Sequence, residues 1–179
     1  MINFYAFDKD GKGLLRYYLY EGDGGSFVEQ CDGVAKGNGG IPVRQPGDAD
    51  VAIAPRLTRI LKQDDLQAPR MGTLIFHPSL LPRHRGVDAV KQTLAAGEAF
   101  TGVTWFWADE GIDTGEVAEQ QVVGIPRGVS AGKLYHEVLV PAGVVASRRV
   151  WAQLVMGYAR RVGQDETCAT YEGRLMTSG

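Results

Sequence analysis

The residues best placed to do chemistry fall in two short segments. The first is His77-Pro78-Ser79-Leu80-Leu81-Pro82-Arg83-His84-Arg85-Gly86. It follows the apolar stretch Thr-Leu-Ile-Phe at 73–76, which reads as a buried strand, and ligands of open α/β sheets sit beyond the carboxyl ends of strands. A histidine at that place can hold or move a proton near neutral pH, and Pro78 and Pro82 stiffen the loop behind it. Taken alone, His77 is explained more simply as a structural histidine before a rigid turn. The second segment is Trp107-Ala108-Asp109-Glu110-Gly111-Ile112-Asp113-Thr114-Gly115. Its carboxylates and glycines make a tight acidic loop after another strand, and one of those carboxylates could pair with an imidazole. Taken alone, this segment is a solvated acidic turn.

Positioning these loops requires strands ahead of them. Strands are expected at 50–54, 73–77, 101–107 and 117–123, where short apolar or β-branched runs are bounded by turn residues. A helix is expected at 87–97, with Val87, Val90 and Leu94 at helical spacing. Two C-terminal helices, 134–139 and 144–161, are expected on either side of Pro141. Earlier in the chain, 2–7 reads as a strand, 14–20 as a helix and 26–31 as a strand. The glycine-rich stretch 22–47 reads as mostly loop. Alternating strands and helices argue an α/β fold with an at least partly parallel sheet. The chain has 179 residues, 19 basic and 21 acidic, for a net charge of -2. One domain spanning 1–179 is expected. The charge balance argues against a nucleic-acid partner, and no run of about eighteen apolar residues marks a membrane span. Residues 1–10 have no basic start of the kind a secretion signal carries. Cys31 and Cys168 form no metal or disulfide motif, so a cytoplasmic location, unreactive thiols and no bound metal are expected.

Read together, the two segments say more than either alone. Residues 75–86, then Thr101-Gly102-Val103-Thr104, then Ile112-Asp113-Thr114-Gly115 resemble, in order and spacing, the 10-formyltetrahydrofolate-dependent formyltransferase/hydrolase family. Within it, the run from His77 to Gly86, the stretch Trp105–Asp109 and the late Thr170-Tyr171-Glu172-Gly173 are most like the folate domain of 10-formyltetrahydrofolate dehydrogenase. The resemblance also takes in glycinamide ribonucleotide and methionyl-tRNA formyltransferases. It implies a Rossmann-like formyltransferase fold with a mostly parallel sheet, here with a shortened N-terminal half. It places the catalytic histidine on His77 and the catalytic aspartate on Asp113. The folate pocket falls on Arg59, Ile60 and Leu61 and on Ala108, Asp109, Glu110, Gly111 and Ile112.

One departure stands out. Most members carry an asparagine two residues before the histidine, and this chain has Ile75. Losing one donor to a developing oxyanion costs on the order of 10²–10³ in rate. Near the N-terminus, Gly11 and Gly13 start a Gly-x-Gly pattern, but Arg16 stands where its third glycine belongs; nucleotide binding is not expected. No tRNA-holding extension is recognisable, which argues against a tRNA acceptor.

The implied activity is formyl transfer from 10-formyltetrahydrofolate, as co-substrate, to an unidentified small-molecule amine, through His77 and Asp113. The alternatives are hydrolysis to formate and tetrahydrofolate, formylation of an amino-sugar nucleotide or specialised metabolite, and non-catalytic folate binding. A homodimer is an open expectation. Among lesser candidates, Arg83, His84 and Arg85 read as a solvated turn, and His136 as structural. Trp105 and Trp107 read as core residues on one strand face. Arg148, Arg149, Arg160 and Arg161 read as charged faces of the last helix.

Overall fold

The computed structural model describes residues 15–20, 25–57 and 61–171. The expected strand at 2–7, Gly11 and Gly13, and the pocket candidates Arg59 and Ile60 lie outside the described residues.

Six strands form one mixed sheet in the order β2-β1-β3-β4-β5-β6. They are β1 (Arg16–Leu19), β2 (Ile41–Pro42), β3 (Val51–Ala54), β4 (Thr73–His77), β5 (Phe100–Trp107) and β6 (Val117–Gly124). The first four pair in parallel, and β5 and β6 join antiparallel. The four strands expected from 50 onward are all present within a residue or so of their expected ends. β3, β4 and β5 are short apolar runs whose two faces are covered, which suits the interior of a parallel or mixed sheet, whereas β6 is an edge strand with a polar centre and an exposed Val122.

Upstream of 50 the assignment reverses. Of the helix expected at 14–20, the described residues 15–20 are not helical: 16–19 form β1, with Tyr17 fully buried in the sheet. Residues 26–31 are not a strand but the first half of α1 (Ser26–Gly37), which also replaces much of the loop expected over 22–47. The buried residues of α1 are Phe27, Val28, Cys31, Val34 and Ala35. That is one helix face, and its period shows only when the stretch is read to residue 35.

Helix α2 (Gln63–Gln67) follows β3, and α3 (Ala89–Ala95) lies within the helix expected at 87–97. The C-terminal helices are not separated at Pro141. A run from 131 to 155 contains α4 (Ala131–Lys133), a π-helical turn (Leu134–Leu139) and α5 (Val140–Val155). Pro141 occupies the first turn of α5, where a missing N–H is best tolerated. The run ends at 155, so Arg160 and Arg161 are not on the helix. Arg161 instead stacks 3.9 Å over the Trp107 ring and donates to the Met71 carbonyl at 2.6 Å. By length and composition, 131–155 does reach what a membrane crossing needs, against expectation. However, 61% of its most apolar window is buried inside the fold, with Leu134, Leu139, Val150, Trp151 and Leu154 in the core.

That core lies on one face of the sheet. Leu74 and Phe76 of β4 and Val103 and Trp105 of β5 meet α1 and α5 there. Phe76 sits edge-on to Phe27 at 4.8 Å and to Trp105 at 5.7 Å. Trp105 donates its indole N–H to the Gly143 carbonyl at 3.0 Å, and Trp107 is as deeply buried. The opposite face carries a smaller cluster, with Ala52, Ala54, Tyr20 and Leu61 buried and Leu57, Leu66 and Ile75 beside it. Small side chains there leave room above the strand ends.

Candidate functional site

That room is a cleft of about 400 Å³ at the carboxyl ends of β3 and β4. Strand alternation decides which residues of β4 reach it. Leu74 and Phe76 turn into the main core, while Ile75 and His77 share the other face. His77 is buried at the last position of β4, paired with Thr104 of β5.

The loop leaving His77 is tied down at each step. Thr104 donates its hydroxyl to the Ser79 carbonyl at 2.7 Å and accepts from Leu81 N at 3.1 Å. Gln120 of β6 donates to the Leu81 carbonyl at 2.8 Å. His84 takes a left-handed backbone conformation, φ 55°. Its carbonyl oxygen lies 2.8 Å from His77 Nε2. A carbonyl only accepts, so Nε2 carries the proton in that bond. The other ring nitrogen, Nδ1, lies 3.4 Å from Asp113 Oδ2.

Asp113 arrives from the second loop, also with a left-handed backbone, φ 56°. The same Oδ2 accepts from the Gly86 amide at 2.7 Å. Asp109 shapes this loop by accepting from Gly111 N at 3.0 Å and from the Thr114 hydroxyl at 2.7 Å. Gly115 closes it: a Cβ there would overlap the Trp107 carbonyl oxygen. The two segments singled out in the sequence therefore meet in space. Of the expected pocket residues that are described, Leu61, Ala108, Asp109, Glu110, Gly111 and Ile112 all line the cleft together with His77 and Asp113.

Of Arg83-His84-Arg85, only Arg83 is exposed as expected of a solvated turn. His84 and Arg85 are buried, and Arg83 and His84 both meet Glu98. Arg85 forms a two-pronged ion pair with Glu166, at 2.9 and 2.6 Å, the geometry in which guanidinium–carboxylate pairs are strongest. The hydrogen bond to Glu166 raises the Arg85 pKa, and the bond from Arg85 lowers that of Glu166. His136 is exposed, with its ring edge-on to Tyr135. Burial pushes the Cys31 thiol up to about 12, which keeps it inert; Cys168 is exposed. Among the described residues, no group of three or more His, Cys, Asp or Glu side chains is arranged to hold a metal ion.

Sequence reasoning missed the apolar wall formed by Leu57, Leu66 and Phe106, and Tyr135, which reaches the cleft from the π-helical turn. It also missed Gln164, which donates to the Asp113 carbonyl at 2.9 Å from 51 positions away. None of these carries a local signal, because a leucine or glutamine looks the same in a core, a surface or a site.

Comparisons with known proteins agree with this geometry. Residues 42–150, more than half of the chain, match the model of the family described as formyl transferase. The mitochondrial 10-formyltetrahydrofolate dehydrogenase of Mus musculus is 32% identical over 168 residues, covering 94% of this chain and 17% of the relative. The cytosolic 10-formyltetrahydrofolate dehydrogenase of Homo sapiens is 34% identical over 166 residues, covering 93% and 17%. This chain thus spans about a sixth of the length of those relatives. Among solved structures, HypX from Aquifex aeolicus in complex with tetrahydrofolic acid superposes with a TM-score of 0.74 at 20% identity, covering 89% of this chain and 29% of that one. On its motif, its strand-end cleft and the family match, the chain belongs to the formyl transferase family.

Proposed function

We propose that this chain moves the formyl group of 10-formyltetrahydrofolate to a small-molecule amine in the cleft of His77 and Asp113. The observation that carries the proposal is the buried imidazole, held between the His84 carbonyl and the Asp113 carboxylate at the end of β4. The 3.4 Å contact at Nδ1 is longer than the roughly 2.7–2.9 Å of a tight charge-assisted bond. Nδ1 is therefore the nitrogen that a formyl oxygen or a water can engage. The amine nitrogen forms a bond to the formyl carbon, and the formyl oxygen gains negative charge. His77 answers that charge from Nδ1 as the imidazolium, with a hydrogen bond or a proton, since the neutral ring already has its one proton on Nε2. Asp113 orients His77 and receives, through water, the proton that the amine gives up. The bond from the formyl carbon to the folate nitrogen then breaks, and that nitrogen takes up a proton. The apolar wall of Leu57, Leu61, Leu66 and Phe106 suits a flat aromatic pterin, and the backbone of 108–112 offers it polar groups.

A second reading is favoured by Ile75. It lines the cleft on the face of His77, where most family members place an asparagine. An isoleucine offers the formyl oxygen no donor, and water as acceptor would make the chain a hydrolase giving formate and tetrahydrofolate. Purified protein mixed with 10-formyltetrahydrofolate and no amine tests both. Formate released by wild type and lost in His77→Ala selects the hydrolase. Turnover only when an amine panel is added selects the transferase. Folate binding without turnover under any acceptor would overturn both and leave a binding protein.

A further inference from the structure

The segment that follows the last helix packs against the two loops that carry the site. Val162 bridges to Val117 at the start of β6. The Thr170 carbonyl accepts from Arg85 N at 3.0 Å, and its amide donates to the Pro82 carbonyl at 3.1 Å. The Thr170 hydroxyl accepts from His84 N at 2.8 Å. In the middle of this strap, the amide of Gln164 faces two partners at once. Its oxygen accepts from Arg85 Nε at 3.2 Å and Nη2 at 2.8 Å. Its nitrogen donates to the Asp113 carbonyl at 2.9 Å and to the Gly115 carbonyl at 2.7 Å. A guanidinium only donates and a carbonyl only accepts, so a single orientation of this amide satisfies all four bonds.

We propose that Gln164 is a positioning residue that sets the His77–Asp113 geometry by joining the two loops that carry it. The inference rests on the His77–Asp113 reading of the site. The tripeptide His84-Arg85-Gly86 touches both members of the pair: His84 O holds the His77 ring, and Gly86 N holds the Asp113 carboxylate. Arg85, between them, reaches Gln164, which holds the backbone of Asp113. Asp113 sits in a left-handed conformation, uncommon for a non-glycine residue though readier for aspartate than for most, and the bonds around it hold it there. Glu166 anchors the far side of the Arg85 guanidinium. The strap thus closes a ring of hydrogen bonds, and its role is to hold the distance between imidazole and carboxylate.

Gln164→Glu separates the two arms. It keeps an acceptor for Arg85 but turns an oxygen toward the Asp113 and Gly115 carbonyls. The full-length wild type, Gln164→Glu, Gln164→Ala and, as a surface control, Arg149→Ala are compared by thermal melting, folate affinity, steady-state kinetics across pH and ¹⁵N NMR of the histidine rings. The His77 signals are assigned from their loss in His77→Ala. In Gln164→Glu, kcat is expected to fall about a hundredfold, as misplacement of a catalytic group by about 1 Å does. Folate KM should change less than about twofold and the pH profile of kcat should move, while melting stays at the control's value. The His77 Nδ1 signal should shift in the direction that Asp113→Asn shifts it, in a titration that requires no turnover. A Gln164→Glu protein with the wild-type Nδ1 signal overturns the inference, as does one whose kcat and pH profile are unchanged. Turnover surviving in His77→Ala would instead overturn the reading of the site, and the NMR result would still decide the clasp.

Discussion

The two walls of the cleft are built differently. The wall that carries His77 and Asp113 is a closed set of hydrogen bonds. Ser79, Leu81, His84, Arg85, Gly86 and Asp113 are each bonded to a strand, to the other loop or to the strap at 162–171. Opposite that wall, the described residues 55–57 and 61–67 present Leu57, Leu61 and Leu66, and one polar link to the acidic loop is the exposed bond from Gln63 Nε2 to Glu110 Oε1 at 3.1 Å. Directional bonds hold atoms where a proton must move over a fraction of an ångström. Apolar contact is non-directional and suits recognition of a flat surface. On the proposed function, the bonded wall carries the chemistry and the apolar wall, helped by the backbone of 108–112, carries most of the recognition, so substitutions on the two should fail in different ways.

The largest effect is expected at the centre of the bonded wall. His77→Ala should lower turnover by roughly 10²–10⁴-fold, the usual worth of a positioned acid or base, with folate affinity nearly unchanged. A variant that kept its rate would remove the chemical role from this wall. Gly115→Ala should come next, because its Cβ meets the Trp107 carbonyl oxygen. Overpacking of that kind costs about 2–3 kcal/mol, readable in urea unfolding, and an unchanged midpoint would mean that the acidic loop is looser than its bonds suggest.

On the apolar wall, Leu61→Ala should weaken folate binding roughly tenfold, about 1.4 kcal/mol, while kcat at saturation holds. If kcat fell and affinity held, the division between the walls would be wrong. The smallest effect concerns pH. The hydrogen bond from Arg85 holds the Glu166 carboxyl below its ordinary range. A group whose pKa is lowered in the fold stabilises it above the unfolded pKa and ceases to as pH falls through the folded one. With the intrinsic pH dependence of amide exchange divided out, the protection of the strap amides at 164–170 should therefore be constant above about pH 5 and fall below about pH 4. That acid-dependent step should be absent in Glu166→Gln; an identical profile in the variant would separate the strap from this ion pair.

How far the sequence could be read differs along the chain. The strands at 51–54, 73–77 and 100–107 were legible because each is a short run of apolar and β-favouring residues, and 117–124 because valines at 117, 122 and 123 mark it despite a polar centre. The stretch before residue 50 was misread at two places because the windows were too short. At 16–19 four residues carry too few periods to tell a strand from a helix, and in 26–31 the window stopped before Val34 and Ala35 completed a helical face. His84 and Arg85 were misread because polar residues in a proline-bounded loop usually face water. Here their partners, Glu98, Gln164, Glu166 and Thr170, come from later in the chain.

The sequence by itself determined the chemistry available: a histidine at the end of a buried strand, an isoleucine two residues before it in place of an asparagine, and an aspartate in a glycine-bounded loop. Residue type and local spacing are enough for that, since they decide which functional groups exist and which way a strand presents them. Only the tertiary structure decided that His77 Nδ1 faces Asp113, that Ile75 shares their cleft, and that a glutamine 51 positions from Asp113 holds its backbone. Those are contacts between segments distant in sequence. Their geometry is set by how the sheet, the two loops and the strap pack together, and no local pattern records it.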